Sequence, residues 1–229
     1  MKLASLFSGG KDSTYAIYLA QKQGHEIKCL LSIFPQSDES HLLHHANIQW
    51  TTLQSESLKI PQLFITSTSD KTDDESLLIE DLLQRAKDKY KIEGLVHGGI
   101  KSKFQKEKFE SICSKLNLKV IAPLWNSEPE HYMNELIHSK FDFMMTTASA
   151  DGLDDSWLGK IITKSDIVSL KNLSEKFGFN LNFEGGEAET FVVDCPLFTF
   201  PIKINHFKKE WDGYRGRFEI VDAELNNNA

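Results

Sequence analysis

The feature that most limits how this chain folds lies in its first residues. The apolar run Leu3 to Phe7 passes straight into Ser8-Gly9-Gly10-Lys11-Asp12-Ser13, and a helical stretch from Ser13 to about Gln23 follows. Paired glycines after a strand let the backbone turn tightly and bring its N–H groups against an anion. The positive end of the following helix reinforces that preference, and Lys11 adds a mobile cation. The loop is not of the Walker type, because Ser5 stands where that motif needs its first glycine and Asp12 where it needs Ser or Thr. A plain strand-to-helix turn capped by Asp12 or Ser13 explains a polar residue and a glycine. It does not explain paired glycines, a lysine and flanking serines together, so the loop is read as a phosphate cradle.

The same rhythm continues. Ile27 to Phe34 is a near-continuous apolar run of the kind a buried parallel strand needs. Leu63 to Thr66, Gly94 to His97 and Lys119 to Ala122 are further strands. A helix is expected from about His41 to Leu58. Two more follow from the stripes Ile79, Leu82, Leu83, Ala86, Tyr90 and Phe109, Ile112, Cys113, Leu116. This alternation predicts an α/β domain with a five-stranded parallel sheet covered by helices on both faces. It breaks at Pro123-Leu124-Trp125. A helix over about Glu128–Ser139, a strand over Phe141–Thr147 and a helix marked by Ile167, Leu170, Leu173 and Phe177 come next. The strands Phe191–Val193, Thr199–Ile204 and Arg217–Val221 follow, with Trp211 to Gly216 read as a hairpin connection. The expected division is residues 1–126 as the α/β domain that carries the glycine loop and 127–229 as a smaller α+β domain.

Bulk properties narrow the function. A formal charge of −7 is the wrong sign for a protein that grips phosphate backbones, so no nucleic acid is expected as partner. No apolar run reaches the length of a membrane span. The three cysteines, Cys29, Cys113 and Cys195, are odd in number and far apart, as expected of reduced thiols in a cytoplasmic protein. His41, His44 and His45 share one helical face but lack a carboxylate or cysteine at ligand spacing, so no metal site is expected there.

The second informative cluster is Glu184-Gly185-Gly186-Glu187-Ala188-Glu189-Thr190, three carboxylates around a double glycine. The glycines suit close backbone approach, and the carboxylates suit Mg²⁺, another cation or acid–base work. A solvated acidic turn before a strand fits the composition equally well.

Two resemblances bear on these clusters. Ser8 to Ser13 resembles the SGGxDS pyrophosphate loop of the N-type ATP pyrophosphatases. Glu184 to Thr190, with Asp194-Cys195-Pro196-Leu197-Phe198 after it, is similar to the EGGE(F/Y)ET…DxPLF signature of the diphthine–ammonia ligases, or diphthamide synthases. His44 with Asn47, Gly99-Ile100 with Ser102 and Gln105, Pro123-Leu124-Trp125, and Gly152-Leu153 with Leu158-Gly159 agree with that family's other motifs. The chain departs from the pattern in having Ala188 for an aromatic, Phe183 for a glycine, and Phe104-Gln105-Lys106 for Tyr-Gln-Arg.

The resemblance implies an ATP-dependent, AMP-forming carboxylate–ammonia ligase acting on diphthine-bearing translation elongation factor 2, with ATP, Mg²⁺ and ammonium as co-reactants and a homodimer left open. It assigns Lys11, Asp12, Glu187 and Glu189 to catalysis. Nucleotide binding falls to Ser8, Gly9, Gly10, Lys11, Asp12, Ser13, His44, Gly98 and Gly99. Substrate binding falls to Glu184, Gly185, Gly186, Glu187, Glu189 and Thr190. Trp157 or Phe191 would supply an aromatic wall for the trimethylammonium of diphthine. Competing readings are another AMP-forming ligase of the same superfamily or a non-catalytic ATP- or AMP-binding protein, and pyrophosphate release separates the last from the ligases.

Overall fold

The computed structural model describes residues 1–35, 47–67 and 72–227. The expected parallel sheet is present, with β1 (Lys2–Leu6), β2 (Glu26–Pro35), β3 (Gln62–Ser67), β4 (Gly94–Val96) and β5 (Lys119–Ile121) in the order β3-β2-β1-β4-β5. The period of two along β1 and β2 sends neighbouring side chains to opposite faces. Ala4, Cys29, Leu31 and Ile33 pack under α3 (Thr72–Tyr90) and α4 (Lys103–Lys115) through Ile79, Leu82, Leu83, Phe109 and Ile112. Leu3 and Leu30 face the other way, toward Ala16, Ile17 and Ala20 of α1 (Lys11–Lys22). That second core continues without interruption into the C-terminal half, taking in Met133, Leu136, Phe143, Val192 and Ile220.

The C-terminal half builds an antiparallel sheet from β6 (Asp142–Ala148), β7 (Ala188–Asp194), β8 (Ile202–Trp211) and β9 (Gly216–Leu225), ordered β7-β6-β9-β8. With it go α5 (Pro129–His138) and α6 (Lys164–Phe177). The Glu128 carboxylate caps α5 by accepting from the N–H groups of Glu130 and His131. The hairpin expected at Trp211–Gly216 is present, its turn closed by Asp212, which accepts from the N–H groups of Tyr214 and Arg215.

One strand differs most from the sequence expectation. The strand expected at Thr199–Ile204 instead runs over Ile202–Trp211, because its mostly exposed residues carry no apolar period to read. The helix expected to start near His41 is seen only from a 3-10 turn at Ile48–Trp50 into α2 (Thr51–Leu58), and His41, His44 and His45 lie outside the described residues. Asn47, at φ 73°, docks this turn on the second sheet by donating Nδ2–H to the Phe218 carbonyl and accepting the Ile220 N–H.

Candidate active site

The order of the parallel sheet reverses between β1 and β4, and such a switch point leaves a crevice beyond the carboxyl ends of the strands. A cleft of about 450 Å³ lies there, within the range of small-molecule sites. One wall is the glycine loop, through Ser8, Gly10, Lys11, Asp12 and Ser13; another is Phe183, Glu184, Glu189 and Thr190; the apolar end is formed by Leu31, Ile33, Ile79 and Phe109.

The loop is held by β7. Val192 donates its N–H to the Gly9 carbonyl at 3.0 Å, and the Lys11 N–H donates to Thr190 Oγ1 at 3.1 Å. Gln54 Nε2 bridges the carbonyls of Gly9 and Val192 at 2.9 and 2.8 Å. Gly9 has φ +79°, and a Cβ there would sit 2.3 Å from Gln54 Oε1, so both its conformation and its neighbour require glycine. Ser8 and Ser13 lock the turn through their hydroxyls at 3.1 Å. Gly98 backs the loop from β4, where a Cβ would lie 2.5 Å from the Asp12 carbonyl carbon.

Lys11, expected as a mobile cation, is fixed. Its side chain is 2% exposed, and Nζ donates to the Asn182 carbonyl at 2.8 Å and to both Asp12 carboxylate oxygens at 3.0 and 3.1 Å. The rings of Phe183 and Tyr132 lie 5.4 and 5.9 Å from the ammonium. A buried ammonium needs such partners, and a carbonyl of the C-terminal half supplies one that the local sequence does not announce. The Tyr132 hydroxyl donates to Asp12 at 2.6 Å. Burial and the adjacent carboxylate push that phenol well above its usual range, so it remains a donor.

The three glutamates of the second cluster have three surroundings. Glu184 lines the cleft and accepts from the N–H groups of Ile100 and Lys101, at 3.3 and 3.1 Å. Glu187 is turned into its own loop, taking the Asn180 N–H and side-chain amide on one oxygen and the Gly185 N–H on the other. It does not line the cleft, whereas Glu189 does. Gly185, Gly186 and Thr190 lie on the cleft wall, as does Gly99 beside His97.

Trp157 and Phe191, expected as aromatic partners for a quaternary ammonium, do not line the cleft. Both are buried in the core, because Trp157 closes a 3-10 turn beneath β6 and Phe191 points inward from β7. Phe183 is the aromatic beside Lys11, and it holds a left-handed backbone (φ 64°). The position where the resembled motif has glycine thus keeps a glycine-like conformation. The ring gained at Phe183 and the bulk absent at Ala188 face the same cleft. No local pattern marks Gln54, Tyr132 or Asn182, which are joined to the loop only by folding. Burial pushes the thiols of Cys29, Cys113 and Cys195 up to about 12, so none is a nucleophile at neutral pH. Among the described residues no helix is long and apolar enough to cross a membrane.

Comparison with known proteins matches residues 1–120 to the diphthamide synthase N-terminal domain and residues 128–225 to the diphthamide synthase C-terminal domain. The chain is similar to diphthine–ammonia ligases of several vertebrates. It is 34% identical to that of Rattus norvegicus over 227 residues, spanning 90% of this chain and 83% of the relative. Identity to the Homo sapiens protein is 34% over 220 residues, 86% and 80% of the two chains. For Danio rerio it is 32% over 222 residues, 90% and 87%.

Proposed function

The chain belongs to the diphthamide synthase family across both of its halves, and we propose that it is the ATP-dependent ligase that converts diphthine on translation elongation factor 2 to diphthamide in the cytoplasm. The observation that carries the proposal is the joining of the two motifs. Hydrogen bonds from Val192 to Gly9 and from Lys11 to Thr190 set the phosphate loop and the EGGEAET wall on one cleft.

In the first step a diphthine carboxylate oxygen attacks the α-phosphorus of ATP. The bond from that phosphorus to the α,β-bridging oxygen breaks, pyrophosphate leaves, and an acyl-adenylate remains. Ammonia then attacks the acyl carbon, the bond to AMP breaks, and a proton leaves nitrogen to give the amide. Ser8 to Ser13 and the N-terminus of α1 bind the phosphates, with Gly98 and Gly99 completing the nucleotide side and His44 assigned there from sequence. Asp12 holds Lys11 in place at the loop. Glu189 faces the cleft as the carboxylate that holds ammonium and takes the released proton. Glu184, Gly185, Gly186 and Thr190 form the wall against diphthine, and Glu187 shapes that wall from behind.

Mg²⁺ would enter with ATP. Among the described residues no group of three or more His, Cys, Asp or Glu forms a ligand cage. The ion would bring phosphate and water ligands of its own and neutralise phosphate charge, and Asp12 on the cleft wall would face it.

The test is incubation with diphthine-bearing elongation factor 2, ATP and ammonium, followed by mass measurement of the modified peptide. Amide formation lowers its mass by about one dalton, a chemical identity and not a fold analogy. Pyrophosphate release without that change indicates another AMP-forming ligase, and ATP binding without pyrophosphate release a nucleotide-binding protein.

A further inference from the structure

His97 follows β4 at the switch point of the parallel sheet, and it is unused in the chemistry described above. It lines the cleft yet is only 2% exposed. Its Nδ1 accepts the Gly99 N–H at 3.0 Å, which places the ring proton on Nε2. That Nε2–H has no hydrogen-bond partner among the described residues. A buried donor left unmet is costly, and a partner supplied from the cleft would remove that cost.

The surroundings say what that partner is. The imidazole packs on the Phe109 ring at 4.8 Å between centroids, at the apolar end of the cleft with Ile79, Leu31 and Ile33. Phosphates are served by the glycine loop, whereas this end suits an uncharged, flat or ring-bearing group. Burial, with the nearby positive charge of Lys106, lowers the imidazole pKa to about 4, so His97 is a neutral donor at physiological pH.

We propose that His97 is a specificity residue whose Nε2–H donates to an uncharged acceptor of the nucleoside part of the bound nucleotide, a base nitrogen or a sugar oxygen. This rests on the ATP-ligase reading and deepens it. Gly99 N–H fixes the tautomer and the ring plane, so the donor direction is set before the nucleotide arrives.

Two amide variants separate a ligand contact from a structural one. In His97→Gln the amide nitrogen falls near the Nε2 position and keeps the donor. In His97→Asn the side-chain oxygen falls near Nδ1, keeps the acceptor for Gly99 and loses the donor. Calorimetric titration of the intact protein with ATP and, separately, AMP is the measurement. The expected result is about tenfold weaker binding of both nucleotides to His97→Asn and binding within about threefold of wild type for His97→Gln. The inference is overturned if His97→Asn binds as wild type, which removes the nucleotide as the partner. It is equally overturned if His97→Gln alone loses affinity, which makes His97 an anchor for Gly99, or if the loss appears with ATP but not AMP, which moves the contact to the terminal phosphates. A wild-type protein that binds neither nucleotide overturns the ligase reading and this inference with it; one that binds both with none of the expected losses overturns the inference alone. Should a variant fail to fold, ¹⁵N-histidine NMR of the wild-type protein decides. AMP should move the His97 Nε2–H proton downfield and slow its exchange with solvent, and an unchanged resonance overturns the proposal.

Discussion

Val192 donates its backbone N–H to the carbonyl of Gly9 at 3.0 Å, so the glycine loop is an added rung on the edge of β7. Gln54 braces the same junction with one amide nitrogen shared by two carbonyls. Gln54→Ala removes that donor from a buried site and is expected to cost about 1–3 kcal/mol. Urea unfolding measures the loss, and ATP titration should show weaker binding because the loop is no longer held at Gly9. A variant as stable as wild type would mean the brace is redundant.

Lys11 and Asp12 form a pair in which the lysine is buried and the aspartate is 35% exposed. Breaking a buried pair by removing one partner typically costs about 3–5 kcal/mol, and the partial exposure of Asp12 brings the expected value for Lys11→Met to roughly 2–3 kcal/mol. The Lys11→Met, Asp12→Asn double variant should recover part of that loss, since no unpaired charge remains. A double-mutant cycle from denaturation curves reads the coupling, and strictly additive effects would contradict the pairing.

Glu187 and Glu189 separate by readout. Glu187 accepts from the Asn180 and Gly185 N–H groups, so Glu187→Gln should lower stability by about 1 kcal/mol and reduce amidation through a loosened loop. Glu189 faces the cleft, so Glu189→Gln should keep ATP affinity within about threefold and lose amide formation. Thermal unfolding beside a single-turnover assay checks both. Collapse of ATP binding in Glu189→Gln would place that carboxylate in the nucleotide site.

His97 makes stability fall on the acid side. Its imidazole is lowered from 6.5 to about 4 by burial, with Lys106 adding to the shift. Above pH 6.5 the residue is neutral in both folded and unfolded chains. As the pH falls below that value the unfolded chain takes up a proton that the folded one refuses, and the loss is complete once the pH has passed below about 4. By about pH 5 roughly 2 kcal/mol of stability has been lost relative to neutral pH. Urea unfolding of wild type and His97→Gln at about pH 7.5 and about pH 5 isolates it, because the other titrating groups are common to both. Equal pH dependence in the two proteins would show that His97 protonates freely in the fold.

Short-range pattern determined much of this protein. The glycine pair after an apolar strand, the near-continuous apolar run of β2 and the helical stripe from Ile79 to Tyr90 are local, and each is realised by contacts within a few turns or one sheet face. Motif spacing likewise marks Glu184 to Thr190. What only the tertiary structure decided depends on partners far away in the chain. Lys11 meets the carbonyl of Asn182, Asp12 meets Tyr132, and Gly9 meets Gln54 and Val192. A carbonyl has no side-chain identity, so nothing in the letters around Asn182 announces that it will hold an ammonium. Equal letters also took unequal tasks: Glu187 bends back onto its own turn while Glu189, two residues on along the pleat, faces the cleft. That difference is set by the direction in which β7 leaves the double glycine, and by the glycine loop that folding lays beside it.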